Sequence, residues 1–275
     1  MKSILPLAVF ICLLFPCHAQ NFEYGTKNQE ALLQYHKGWE YILDKGEWGK
    51  AEQAFRAAVT LDQDFHLGWS QVGRISGDPG ERAEIFQSLK IKNEGLSEWE
   101  KRLLEVYLSS LEIIDLKDRG IRITPEMVQS FYQTSETNFS DFLRAYPEEK
   151  YVHAEYIEVI HGIYGAKASL DTLEKQQKEG FKITPFLLSY KAQLHAELND
   201  FDAALKASKA LEKRLNDNNL PIIPFTYGYV AYEKGDYEEA EIWIERTLQL
   251  ESKHVLAQRL HQKIKEKSKL ILPAP

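Results

Sequence analysis

Beyond its first twenty residues the chain repeats apolar positions at intervals of three and four, while the strict apolar/polar alternation of a half-buried strand is nearly absent. That periodicity predicts helix throughout. The prolines agree. Pro79, Pro125, Pro147, Pro185, Pro221, Pro224, Pro273 and Pro275 all fall at expected helix starts, in loops or in the tail, where a missing N–H interrupts no strong helical period.

Three stretches repeat one order of residues. Gly228–Ser252 (GYVAYEKGDYEEAEIWIERTLQLES) opens a helix on a small residue, turns at Gly235-Asp236, places Tyr237 after the turn, and continues with Ala240, Leu248 and Leu250. His36–Asp64 gives Gly38, a turn at Gly46, then Trp48, Ala51, Phe55, Ala58 and Leu61. Tyr190–Lys213 gives Ala192, a turn at Asn199-Asp200, then Phe201 and Ala204. Antiparallel helices approach to about 8 Å only where the crossing residues lack bulk, so Gly38, Ala51, Ala192, Ala204, Gly228 and Ala240 mark expected crossings. Trp48, Phe201 and Tyr237 would then fill the gap to the neighbouring pair.

These residues resemble the tetratricopeptide repeat family, clearly over Gly38–Asp64, Ala192–Glu212 and Gly228–Ser252. The first copy carries one extra residue at its turn, Lys45-Gly46-Glu47, and residues 77–146 depart in helix length, with an elongated pair ending in Tyr146-Pro147. His153–Gly180 reads as a further degenerate pair. The resemblance implies an all-α, right-handed solenoid of about six antiparallel helical pairs in a single domain, residues 20–275, closed by a C-terminal capping helix over Lys253–Leu270. Four lysines near the end of that helix suit its C-terminal dipole, and contact with an anionic membrane surface is the lesser alternative.

In such a solenoid the concave wall is built from the first helix of each pair, and it is where the family grips other proteins. The clear copies place Tyr35, Trp39, Ile42 and Leu43, then Gln193 and Glu197, then Phe225, Tyr229, Tyr232 and Glu233 on that wall. Aromatic anchors bury much area at low entropic cost and are favoured in protein contacts. The competing expectation is that the same rings fill contacts between adjacent pairs. The Lys and Asn of the family's carboxylate-clamp subgroup are replaced at such places by Tyr35 and Trp39, so that specificity does not carry over.

Two hexapeptides, Gly120–Pro125 (GIRITP) and Gly180–Pro185 (GFKITP), are nearly identical. Each reads as a helix stop and start: glycine for a left-handed residue, threonine for an N-cap oxygen, proline for the first turn. They sit at different points of the helical pair, so their spacing is not a repeat period.

Charge and the leader narrow the setting. Residues 1–19 hold one charge at Lys2, an apolar run from Ile4 to Phe15, Pro16 and a small Ala19. That is the layout of a cleaved secretory signal peptide, the twelve-residue run falling short of the roughly 17–25 needed for a span. Lipidation at Cys17 is disfavoured by Pro16. The expected mature form is exported, periplasmic or envelope-associated in a bacterium. It contains neither Cys12 nor Cys17, so it has no disulfide, thiolate metal site or cysteine nucleophile. Without Lys2 it carries 33 basic and 41 acidic side chains, a net charge of −8, and no basic stripe for a nucleic acid.

Candidate chemistry is sparse. Glu158-Val-Ile-His161 and Glu251-Ser-Lys-His254 share the Glu-x-x-His spacing of di-iron bundles, but further facing glutamates are lacking and no metal site is expected. Asp64-Phe-His66 is too small a cluster to stand alone. There is no nucleophile elbow, phosphate loop or dinucleotide fingerprint. The expectation is a non-catalytic scaffold without cofactor that holds a protein or peptide. A small-molecule or glycan receptor using the same aromatic groove is the alternative, and an unrecognised helical metalloenzyme stands behind it.

Overall fold

A computed structural model describes residues 22–91 and 95–271, with side chains to 268; the proposed leader lies outside them. Twelve helices and no strand occur among the described residues: α1 (Gln29–Trp39), α2 (Trp48–Leu61), α3 (His66–Ile75), α4 (Pro79–Ile91), α5 (Glu98–Asp118), α6 (Pro125–Ala145), α7 (Lys150–Lys178), α8 (Pro185–Glu197), α9 (Phe201–Leu215), α10 (Ile222–Lys234), α11 (Tyr237–Leu250) and α12 (Val255–Ile271). Each packs on the next, and α3 also packs on α5, α8 on α10 and α10 on α12, as in a row of helical pairs.

Local chemistry fixes the ends. Asn28 caps α1 by accepting from Glu30 N and Ala31 N, and Ser97 and Glu100 form a reciprocal capping box at α5. In two of the clear copies a left-handed residue, Asn199 or Gly235, is followed by an aspartate, Asp200 or Asp236, that caps the next helix. The hexapeptides behave as expected: Gly120 and Gly180 have φ of 66° and 104°, and Thr124 and Thr184 cap α6 and α8 with proline following. In each, the residue after the glycine donates its N–H back across the last turn, Ile121 to Leu116 and Phe181 to Gln176. The first hexapeptide joins the two helices of a pair; the second joins one pair to the next.

The crossings are tight where the small residues predict them. A Cβ on Gly38 would lie 2.4 Å from the Phe55 ring, and one on Gly228 2.7 Å from Ile244 Cδ1. Ala51, Ala192, Ala204 and Ala240 are fully buried.

Two irregularities shape the inner face. The extra residue of the first copy is absorbed by a π-helical turn, Glu40–Lys45, which continues α1 and ends at left-handed Gly46. A single added residue widens a helix locally rather than ending it. In α7 the break falls at Gly165, whose φ of 82° and ψ of 176° are outside helical space. The degenerate pair read over 153–180 is present as two helical segments of α7 that meet directly at Gly165, with no connecting loop.

The widened turn then crosses the row. Asp44, itself buried, accepts the backbone N–H of Phe186 at the start of α8 (3.1 Å), and Gly46 lies against Ile222 and His254. Glu251 accepts from Gly49 N (3.0 Å), Lys253 pairs with Glu52 (2.9 Å), and Trp48 rests on His254 (5.8 Å). The post-turn Trp48 thus packs on the last helix instead of the neighbouring pair. The row curls far enough for the first pair to meet the start of α12.

Candidate binding surface on the inner wall

The expected wall residues lie on α1 with its π-helical turn and on α8 and α10, the first helices of their pairs, with α8 packed on α10 and α10 on α12. The two ends of this wall differ. At the N-terminal end Tyr35 is 0% and Trp39 4% exposed. Tyr35 is enclosed by Tyr24, Phe55 and Phe65, and Trp39 stacks on Tyr151 at 6.0 Å and 19°. Both are core residues in this conformation, as the packing alternative foresaw. Ile42 and Leu43 are half-buried in the crossing turn, Leu43 against the cluster around Leu173 and Leu187. Gln193 is buried and donates to Ser189 (3.2 Å), and Phe225 is buried with its ring 4.8 Å from that of His254.

The remaining four expected wall residues come together. Glu197, Tyr229, Tyr232 and Glu233 are all half-exposed and lie on α8 and α10. Tyr229 donates to Glu197 (2.6 Å), and Glu197 also meets His161 Nε2 (2.8 Å), whose Nδ1 is 2.6 Å from the Tyr190 hydroxyl. A chain of four side chains from three helices is thereby fixed in place. Burial alone would raise the Glu197 carboxyl, but the hydrogen bonds from His161 and Tyr229 hold it below its ordinary value. Burial and the nearby Glu197 raise Glu233, while burial and Glu155 push Glu158 up to about 7.

A second network lies deeper. Arg74 of α3 reaches Glu155 (2.9 Å), which also accepts from Tyr107 (2.9 Å), and the guanidinium lies 4.9 Å from the Tyr107 ring centre. Both charges are satisfied, so this network ties α3, α5 and α7 together and offers nothing to a ligand.

The two Glu-x-x-His motifs do different things. His161 has both ring nitrogens engaged as described. His254 is buried, accepts Ala257 N (3.2 Å) as the N-terminal cap of α12, and faces Trp48 and Phe225, so the motifs do not converge. Sequence reasoning weighed His161 only as a metal ligand and missed its role as the centre of the Tyr190–His161–Glu197–Tyr229 chain. The helical spacing of Glu155, Glu158 and His161 put three polar side chains on one face, but the partners of His161 on α8, Tyr190 and Glu197, are visible only once that helix is placed.

Searches against protein-family models and against curated proteins find no match to the chain.

Proposed function

We propose that the chain is an exported, non-catalytic scaffold of the tetratricopeptide type, a right-handed solenoid that holds a partner protein or peptide on the open part of its inner wall. The observation that carries the reading is the patch of Glu197, Tyr229, Tyr232 and Glu233. All four are half-exposed, and Glu197 and Tyr229 are pre-positioned by hydrogen bonds, whereas Tyr35 and Trp39 at the other end of the wall are sealed. Pre-positioned side chains lose little entropy on binding. With two carboxylates beside two phenols, the patch suits a segment bearing lysine or arginine next to an apolar residue. His161 has the Glu197 geometry of a general base, but its nitrogens are occupied by Tyr190 and Glu197, and nothing beside them supplies a nucleophile.

Affinity capture from envelope extract tests the reading. The wild-type chain retains a stoichiometric protein that Tyr229→Ala and Tyr232→Ala release, with circular dichroism confirming that both variants stay folded. Capture of no protein, together with saturable binding of sugars or peptidoglycan fragments, replaces the scaffold with a glycan receptor.

A further inference from the structure

Away from the inner wall, the last two helices bring three metal-ligating side chains to one point. Glu241 and Glu245 stand one turn apart on α11, and His261 of α12 faces them. Its Nε2 is 3.8 Å from a Glu241 oxygen and 3.9 Å from a Glu245 oxygen, and the three donor atoms all lie within 4.8 Å of one another. That nitrogen is shut off from solvent and has no hydrogen-bond partner. Among the described residues neither glutamate has a lysine or arginine within ion-pair distance.

In neither protonation state does the imidazole as placed make a hydrogen bond to these carboxylates. A protonated Nε2 points at carboxylates too far away to accept from it, and a bare Nε2 sets a lone pair against two anions with no charge between them. A cation at the centre resolves both. We infer that Glu241, Glu245 and His261 form a site for a first-row divalent cation, zinc foremost, which clips α12 to α11.

The donor set selects the ion class. An imidazole nitrogen suits zinc and its neighbours, whereas magnesium and calcium take oxygen ligands. Bonds of about 2.0–2.2 Å require the donors to draw in by several tenths of an ångström. Glu245 is the most exposed of the three, at 56% for its side chain, and has the freedom to make that shift. Three protein ligands leave the remaining positions to water. Because the site exists only when α11 and α12 are packed, the ion favours the folded chain. This inference does not depend on the scaffold reading.

The test uses the full chain, stripped with chelator and dialysed, titrated with zinc by calorimetry and followed by thermal melting. One equivalent binds in the micromolar range and Tm rises by several degrees. His261→Gln and Glu241→Gln abolish both effects and Glu245→Gln weakens them, while His195→Gln leaves them intact. Cobalt substitution adds a visible absorption band that His261→Gln removes. Absence of saturable binding up to millimolar zinc overturns the inference, as does unchanged binding in His261→Gln. Should His261→Gln fold poorly, the two glutamate variants decide, since neither carboxylate makes another ion pair among the described residues.

Discussion

Trp39 at one end of the expected wall and Tyr229 at the other each follow the crossing glycine of their pair, Gly38 or Gly228, yet Trp39 is buried and Tyr229 half-exposed; three residues before those glycines Tyr35 and Phe225 are both buried. The difference lies in what comes later in space. Residues 22–26 fold back over Tyr35 through Tyr24, with Phe22 bridging to Phe142 and Tyr146, and α5 and α7 deliver Tyr107 and Tyr151 onto Trp39. Around Tyr232 the closest ring is Tyr237 of its own pair. An aromatic residue at an inner position becomes packing or binding surface according to whether another element covers it, and its own helix does not record which.

The comparison is most directly broken by truncation. Trp39→Ala should cost about 3–5 kcal/mol in denaturant unfolding, as for a large ring removed from a core. Tyr229→Ala, losing its bond to Glu197 from a half-exposed site, should cost about 1 kcal/mol; equal losses would show that the ends are alike.

Overpacking sharpens the contrast: Gly38→Ala meets a rigid ring and should cost about 1–3 kcal/mol. Gly228→Ala meets the flexible end of Ile244 and should cost less, measured by the same unfolding curves.

Acidification reports on the contact between the ends. Burial pushes His254 down to about 4 from its ordinary 6.5, so the unfolded chain binds the extra proton first and stability falls as pH drops from about 6.5 towards 4. Burial lowers His36 likewise to about 4, while Glu158, raised to about 7, acts in the opposite sense. His254→Asn keeps a good N-cap and cancels the other groups in the difference. The wild type should lose about 2–3 kcal/mol more than the variant across that window; parallel pH profiles would exclude a buried neutral imidazole.

The smallest effect belongs to Lys253→Ala, which removes a largely exposed lysine from its pair with the mostly buried Glu52: less than about 1 kcal/mol, fading with added salt.

Much of the fold was readable from short-range chemistry. The small residues at the crossings, the Asp200 and Asp236 caps and the Thr-Pro helix starts all specify local geometry, and the structure places them as their types require. The extra residue at Lys45-Gly46-Glu47 announced an irregularity, but its accommodation as a π-helical turn depends on the space beside α8. The reading of 153–180 as a degenerate pair implied a break, but with no turn signal beside it the isolated Gly165 did not mark where that break falls. Of the ten wall residues read from the repeats, nothing in the sequence separated Glu197, Tyr229, Tyr232 and Glu233, which lie together half-exposed, from Tyr35, Trp39, Gln193 and Phe225, which other segments bury. The Glu241–Glu245–His261 cluster joins two helices whose side-by-side placement no single periodicity encodes.

The bond from Gly49 to Glu251 spans 202 positions of sequence. Stacked-repeat chains lacking such a tie melt and fold as a file of neighbours, and selection lengthens or shortens them one unit at a time. Here the starts of α2 and α12 are fastened, so the two ends of the row are coupled, and among the described residues formation of this tie awaits a very long loop closure. Insertion or loss of a single pair would pull the fastening apart, which fixes the tally of units that this chain has room to carry.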